Sequence, residues 1–350
     1  MLLIWTWILG ATLIVAQAGG AEAQAPARRA NPFDGAKSWA YQLNNLGPAQ
    51  QARIAASPYD LVVIDYAQSE KGDLIEQPLT AEEVARMKVK PDGGKRLIIA
   101  YLSIGESEDN RYYWKAEWNR KRPAWMGAES KEWKGNFLVK YWEPVWQDFI
   151  FGNAQSYVDR IVAAGFDGFY IDRADAYYRF GDTKEARDRM AAFLVKLSAY
   201  IRSKKPDAGI MMQNAEELLD RPNVVAAIDA IAKEDLIYGI THREELNKRD
   251  DIDYSTKLLR DAQAAGKAIF VVEYLKNPKN IADAKQRMTD LGFVLYYGPR
   301  GLFEIAAAPG AGGITPGPAL DGVRENAKPK AKSKAPVAKK AAPKPKATAN

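Results

Sequence analysis

Eight short apolar and aromatic runs, each followed by a stretch long enough for a helix, constrain this chain more than any other feature. They are WAYQL (39–43), DLVVIDYA (60–67), RLIIAYLSIGE (96–106), FDGFYIDR (166–173), AGIMMQNAEE (208–217), AIDAIAKED (227–235), AIFVVEYL (268–275) and GFVLYYG (292–298). Several are almost continuously apolar, the pattern of parallel strands covered on both faces. Between them, residues 183–205 and 250–266 carry helical periodicity, the second closing on a C-cap glycine, Gly266. Eight strand and helix units over about 270 residues is the size of one (β/α)8 barrel. No Gly-rich phosphate turn follows the first strand to favour an open doubly wound sheet. The expected fold is therefore α/β, a (β/α)8 TIM-type barrel over residues 37–306, with a long insert after strand three (107–150) that holds Trp114, Trp118, Trp125, Trp133, Trp142 and Trp146.

The two ends of the chain differ from this body. Residues 1–18 are uncharged and apolar and lead to Ala-Glu-Ala at 21–23, which reads as a signal peptide of residues 1–23 and a secreted or periplasmic protein. An uncleaved N-terminal anchor is the alternative, although a bilayer span calls for roughly 20 apolar residues. Residues 24–36 are Ala, Pro and Arg rich and read as a linker. From 307 the chain turns Gly/Pro rich and then Lys/Ala/Pro rich, a composition that cannot bury enough surface to offset its ordering entropy, so 307–350 is expected to be disordered. The last 25 residues hold eight lysines and no acid, which leaves 42 basic against 44 acidic residues elsewhere. The basic pI of about 9.1 thus belongs to the tail. The body has no basic surface for nucleic acid, and the tail suits anionic polymers of a cell envelope.

Polar chemistry gathers where the strands end. Asp65 and Tyr66 close strand two; Ser103, Gly105 and Glu106 strand three; Asp172 strand four; Asn214 and Glu216 strand five; Glu234 and Asp235 strand six; Glu273 and Tyr274 strand seven; Tyr296 and Tyr297 strand eight. In a barrel these ends share one mouth, the face where chemistry is found. Zero cysteines and a single histidine, His242, remove disulfide, thiol and His-rich metal chemistry, and no nucleophile-elbow serine accompanies the histidine. Carboxylate chemistry remains, either across a glycosidic bond or around an oxygen-ligated metal. A strand-ending aspartate is also a common helix N-cap, and tryptophans of an insert are more often local core than sugar platforms. Trp142 and Tyr297 are the aromatics expected at the substrate.

Taken together, WAYQL, YDLVVIDYA, IAYLSIGE, GFDGFYIDRADAY, NAEEL, AKEDLIYG, FVVEYL and GFVLYYGPRGL, in this order from residue 38 to about 303, resemble glycoside hydrolase family 114, the endo-α-1,4-polygalactosaminidase family. The resemblance implies a (β/α)8 barrel that cleaves α-1,4-linked galactosamine or N-acetylgalactosamine polymers. It implies Asp172 and Glu234 as catalytic carboxylates, surrounded by Asp65, Tyr101, Ser103, Glu106, Asn214, Glu273 and Tyr274. On that basis Asp172 is expected to be the nucleophile and Glu234 the acid and base of a retaining mechanism, with no cofactor and no metal. Asp65, Glu106, Asp175, Glu216 and Glu273 are expected to give the mouth a negative field suited to a polymer made cationic by free amino groups. Two other classes are carried alongside: a non-catalytic polysaccharide-binding barrel of the cell envelope, and a metal enzyme using Asp172, Glu234 and Glu273.

Overall fold

In a computed structural model the chain is described over residues 29–68, 76–131 and 133–306. The expected signal peptide, residues 24–28 of the expected linker and the basic tail lie outside the described residues. The eight barrel strands are β1 (Trp39–Gln42), β2 (Leu61–Ile64), β3 (Leu97–Ser103), β4 (Gly168–Asp172), β5 (Gly209–Gln213), β6 (Ala230–Glu234), β7 (Ala268–Glu273) and β8 (Val294–Tyr297). They form one sheet in sequential order, every pairing parallel, which is the (β/α)8 architecture. Across the β8 to β1 seam the Trp39 indole Nε1 donates to the Val294 carbonyl at 3.0 Å, so a side chain ties the nearly closed barrel together.

The principal helices are α1 (Pro48–Ala56), α2 (Ala81–Met87), α3 (Pro144–Ile150), α4 (Tyr157–Ala163), α5 (Lys184–Lys204), α6 (Pro222–Ala227), α7 (Arg249–Ala264) and α8 (Pro278–Leu291). Their ends are written locally. Thr80 and Glu83 form a capping box at α2, Thr183 caps α5 by accepting from Ala186 N–H, and Asn277 with Pro278 opens α8. Gly266, just beyond the last turn of α7, has φ 80.

Register separates the inward from the outward side chains. Tyr101 lies beside Tyr170, Ser103 beside Asp172, Met211 beside Tyr170 and Glu234 beside Val272, and neighbours in register share a face. Rings from β1, β4 and β7 meet across the interior: Tyr41 and Tyr170 at 5.0 Å, Trp39 and Phe270 at 5.5 Å. Phe33 plugs the end opposite the mouth, 5.9 Å from Phe270, and Gly209 makes the room, since a Cβ there would stand 2.6 Å from the Phe33 ring. Residues 31–36 are therefore part of the barrel rather than linker. An isolated phenylalanine in a Pro- and Arg-rich stretch gives no periodicity from which burial could be read.

The closed end is clamped ahead of β2, β4 and β6. Asp60, Asp167 and Asp229, each just before β2, β4 or β6, accept the backbone N–H of Lys37, Ile98 and Ile210 at 3.0, 2.9 and 3.0 Å. These acids stabilise the rim that does no chemistry. The insert after β3 builds a three-stranded antiparallel sheet, Glu106–Glu108, Asn136–Val139 and Met126–Glu129. Trp118, Trp125 and Trp146 are buried in an aromatic cluster with Phe149, whereas Trp133 is exposed.

Candidate active site

Asp172 and Glu234 end β4 and β6 and project from the inner face, with β5 between them. Asp172 Oδ2 accepts the Tyr101 hydroxyl at 2.6 Å and Oδ1 accepts the Arg173 N–H at 2.6 Å. Two donors on two oxygens fix the carboxylate plane. Burial pushes Asp172 up to about 7, with the Arg173 cation opposing and the charge of Glu234 adding to the rise. The aromatic layer of Tyr41 and Tyr170 below is the low-dielectric floor, and both phenols are themselves raised, chiefly by burial and then by neighbours that include these carboxylates.

Glu234 Oε1 accepts the Tyr274 hydroxyl, and its backbone N–H donates to Asn214 Oδ1 at 3.1 Å. Its carboxyl is also raised, by burial first and by Asp235 next, against the Tyr274 hydrogen bond and the Arg300 cation. Arg300, from the segment after β8, donates to both oxygens of Asp235 at 2.7 and 2.9 Å and lies 4.2 Å from the Tyr274 ring centre. One guanidinium thus neutralises the acid beside Glu234 and covers the phenol that holds it.

The turns that deliver these groups are strained. Arg173 (φ 61), Asn214 (φ 50), Ala215 (φ 55) and Asp235 (φ 52) follow β4, β5 and β6 in the left-handed region, which costs about 1–2 kcal/mol for a residue with a Cβ. Gly105 is required after β3, because a Cβ there would stand 2.4 Å from the Arg173 carbonyl. Non-glycine residues with positive φ at three successive strand ends mark this rim as one held for function rather than relaxed.

The remaining expected residues divide into two groups. Tyr101 and Tyr274 bond the two carboxylates, Ser103 lies beside Asp172 in register and Asn214 accepts the Glu234 N–H, whereas Asp65 and Glu106 are engaged by arginines. Arg111 from the insert grips Asp65 through two bonds of 2.8 and 2.7 Å and also donates to Glu108; all three are buried. Glu106 is paired with Arg173 and receives Asn136 Nδ2 at 3.3 Å. Ser103 Oγ donates to the Glu106 carbonyl at 3.1 Å.

Glu216, Glu273, Tyr297 and Trp142 are not brought to the two carboxylates. Glu216 is buried under α7, paired with Lys233 at 2.9 Å and receiving the Ser255 hydroxyl at 2.7 Å. Glu273 faces away from the barrel interior and accepts N–H groups of Ile237 and Tyr238 at 2.7 and 3.2 Å; burial pushes it up to about 8. Tyr297 is beside Glu273 in register, on the outer face, with the Lys285 ammonium of α8 4.9 Å from its ring. Trp142 packs edge-on against Phe180 at 4.8 Å and under the Arg189 guanidinium at 4.6 Å. Glu273 and Tyr297 share one physical reason, since one residue along a strand reverses the face, whereas Glu216 lies beyond its strand, after Asn214 and Ala215 turn the chain through positive φ. The negative field expected of the mouth is correspondingly smaller. Asp65, Glu106 and Glu216 are balanced by Arg111, Arg173 and Lys233, and Glu273 holds its proton up to about 8. Asp175, partly exposed, has no ion-pair partner among the described residues, and its charge reaches Asp172, Arg173 and Glu234. Sequence reasoning missed Arg111 and Arg300 as parts of the site. Arg300 stands inside the motif GFVLYYGPRGL, whereas nothing around Arg111 marks it.

Comparison with known proteins follows the same lines. The family profile described as Glycoside-hydrolase family GH114 matches residues 19–306. An uncharacterised protein of Deinococcus radiodurans is 34% identical over 268 residues, covering 76% of this chain and 82% of its own length. One of Methanocaldococcus jannaschii is 36% identical over 276 residues, 74% of each. Among solved structures, the glycoside hydrolase domain of PelA from Pseudomonas aeruginosa superposes with a TM-score of 0.57 at 20% identity, over 78% of this chain and 99% of that domain. Aspergillus fumigatus Ega3 in complex with galactosamine gives 0.53 at 14% identity, over 78% and 95%. At these identities the two structures speak for the fold.

Proposed function

Since the chain belongs to glycoside hydrolase family GH114, we propose that it cleaves an α-1,4-linked polysaccharide of galactosamine or N-acetylgalactosamine, within the chain and with retention of configuration. The observation that carries this reading is the pair Asp172 and Glu234, projecting from one mouth, coupled by charge, and held by separate hydroxyl donors.

Asp172, oriented by Tyr101 and the Arg173 N–H, attacks the anomeric carbon while Glu234 gives its proton to the departing glycosidic oxygen. The sugar is left as an ester of Asp172. That step removes the negative charge of Asp172, so Glu234 becomes a stronger acid and its carboxylate persists as the base that takes a proton from water. The water oxygen bonds to the anomeric carbon, the ester breaks, and Asp172 leaves as the carboxylate. Burial raises both carboxyls and the charge of Glu234 adds to the rise at Asp172, so a proton on Glu234 favours the ionised Asp172 that the first step needs.

An amino-sugar substrate is supported by the galactosamine bound in Ega3, a protein of the same fold, and by Asp175, whose unpaired carboxylate suits an ammonium group. We assign the first 23 residues as a signal for export, and the lysine-rich tail as a contact for anionic envelope polymers. Proton NMR of the first-formed products from an α-1,4-galactosamine polymer tests the mechanism. Reducing ends that appear as the α anomer and then mutarotate support it, and an initial β anomer overturns retention.

A further inference from the structure

Between the two carboxylate strands, on β5, stands Gln213. Its register with Ala232 and the pairing of Met211 with Tyr170 put its side chain on the inner face, level with Asp172 and flanked by the strand of Glu234. It is 3% exposed, and its Oε1 has no hydrogen-bond partner. The amide makes no side-chain hydrogen bond to any described residue. The barrel's other buried strand glutamine differs at the nitrogen: Gln42 Oε1 is likewise without a partner among the described residues, but Gln42 Nε2 donates to the carbonyls of Asn44 and Phe303 at 3.1 and 3.0 Å.

A buried amide without a hydrogen bond to any described residue is costly to the fold. Such a group is retained where a ligand completes it. We propose that Gln213 is a substrate-contacting residue on the floor of the catalytic subsite, and that its amide hydrogen-bonds a polar ring substituent, hydroxyl or amino, of the sugar held between Asp172 and Glu234. The assignment rests on the glycosidase reading of this site. A neutral amide offers both a donor and an acceptor, so it matches a hydroxyl in either sense without adding charge between two carboxylates whose protonation must stay unequal.

Stability and activity then move in opposite directions, which a merely structural glutamine would not do. Gln213→Met keeps the volume and removes the amide. Its melting temperature should equal or exceed that of the wild type, while kcat/KM on the α-1,4-galactosamine polymer falls roughly 10-fold or more. Gln42→Met, which abandons two satisfied carbonyls, should melt lower and serves as the contrast. A Gln213→Met chain that melts lower and keeps its kcat/KM would overturn the assignment, because the amide would then be a core group satisfied by buried water. A wild type inactive on the polymer refutes the parent reading by itself. The melting comparison still decides Gln213 in that case: a lower melting point overturns the assignment, and an equal or higher one supports an open polar contact.

Discussion

Replacing Lys233 by methionine should strip the barrel of a large part of its stability without touching the mouth. Lys233 and Glu216 are each about 4% exposed, paired at 2.9 Å, and Ser255 adds a bond of 2.7 Å to the carboxylate. Burial is the largest influence on Glu216 and raises it, but the Lys233 ammonium, with the Ser255 hydroxyl and the Glu216 backbone N–H, outweighs it and lowers the carboxyl from 4.5 to about 2. That difference corresponds to about 3 kcal/mol in favour of the charged form. Removing one member of a buried pair typically costs about 3–5 kcal/mol, because the survivor is left without its counter-charge. For a domain of this size the melting point should drop by on the order of 10 °C. Glu216 is depressed in the folded state, so its contribution is complete above about 4.5 and is lost as pH falls through about 2. Urea unfolding of wild type and Lys233→Met at pH 7, 4 and 3 therefore should show a gap that narrows at the lowest pH. Glu216→Gln combined with Lys233→Met should recover part of the loss. A gap below about 1 kcal/mol at pH 7, or one that widens on acidification, would refute the reasoning. Lys233 faces away from Glu234, so the folded variant keeps its turnover.

The pH dependence of kcat/KM follows from the pair. Activity needs Asp172 ionised and Glu234 protonated, and burial raises both carboxyls, Asp172 to about 7, so both limbs of a bell-shaped profile should lie above the ordinary carboxylate range; an acid limb near an ordinary aspartate value would contradict the burial argument. Arg300→Met removes the cation that lowers Glu234 and leaves Asp235 without its bidentate partner. The alkaline limb of the pH profile should move upward, and a limb that stays or moves down would show that Arg300 does not reach Glu234.

The barrel was legible because its signal is repetitive. Buried strands such as LVVI and LIIAYLS recur at regular spacing, and acids stand at their ends. What the chain does not spell out is parity at a strand end and the cation that answers each acid. In KED the inward residue is Glu234 and Lys233 faces out; in VEY it is Tyr274 and Glu273 faces out; in LYYG it is Tyr296 and Tyr297 faces out. Fixing parity requires the register with a neighbouring strand, a non-local fact. Arg111 reaches Asp65 across 46 residues and Arg300 reaches Asp235 across 65, so counting acids by strand end overstated the charge of the mouth. Gln213 was hidden for another reason. Its importance lies in bonds that it does not make.

The most direct measurement is mass spectrometry of the soluble products released from a partially deacetylated α-1,4-galactosamine polymer by the wild-type chain, Asp172→Asn and Glu234→Gln, with circular dichroism to establish that all three are folded. The account predicts oligosaccharides from the wild type and none from either folded variant. Products from a folded variant would remove that carboxylate from the chemistry, and a wild type that binds the polymer without releasing products would contradict hydrolysis of this substrate.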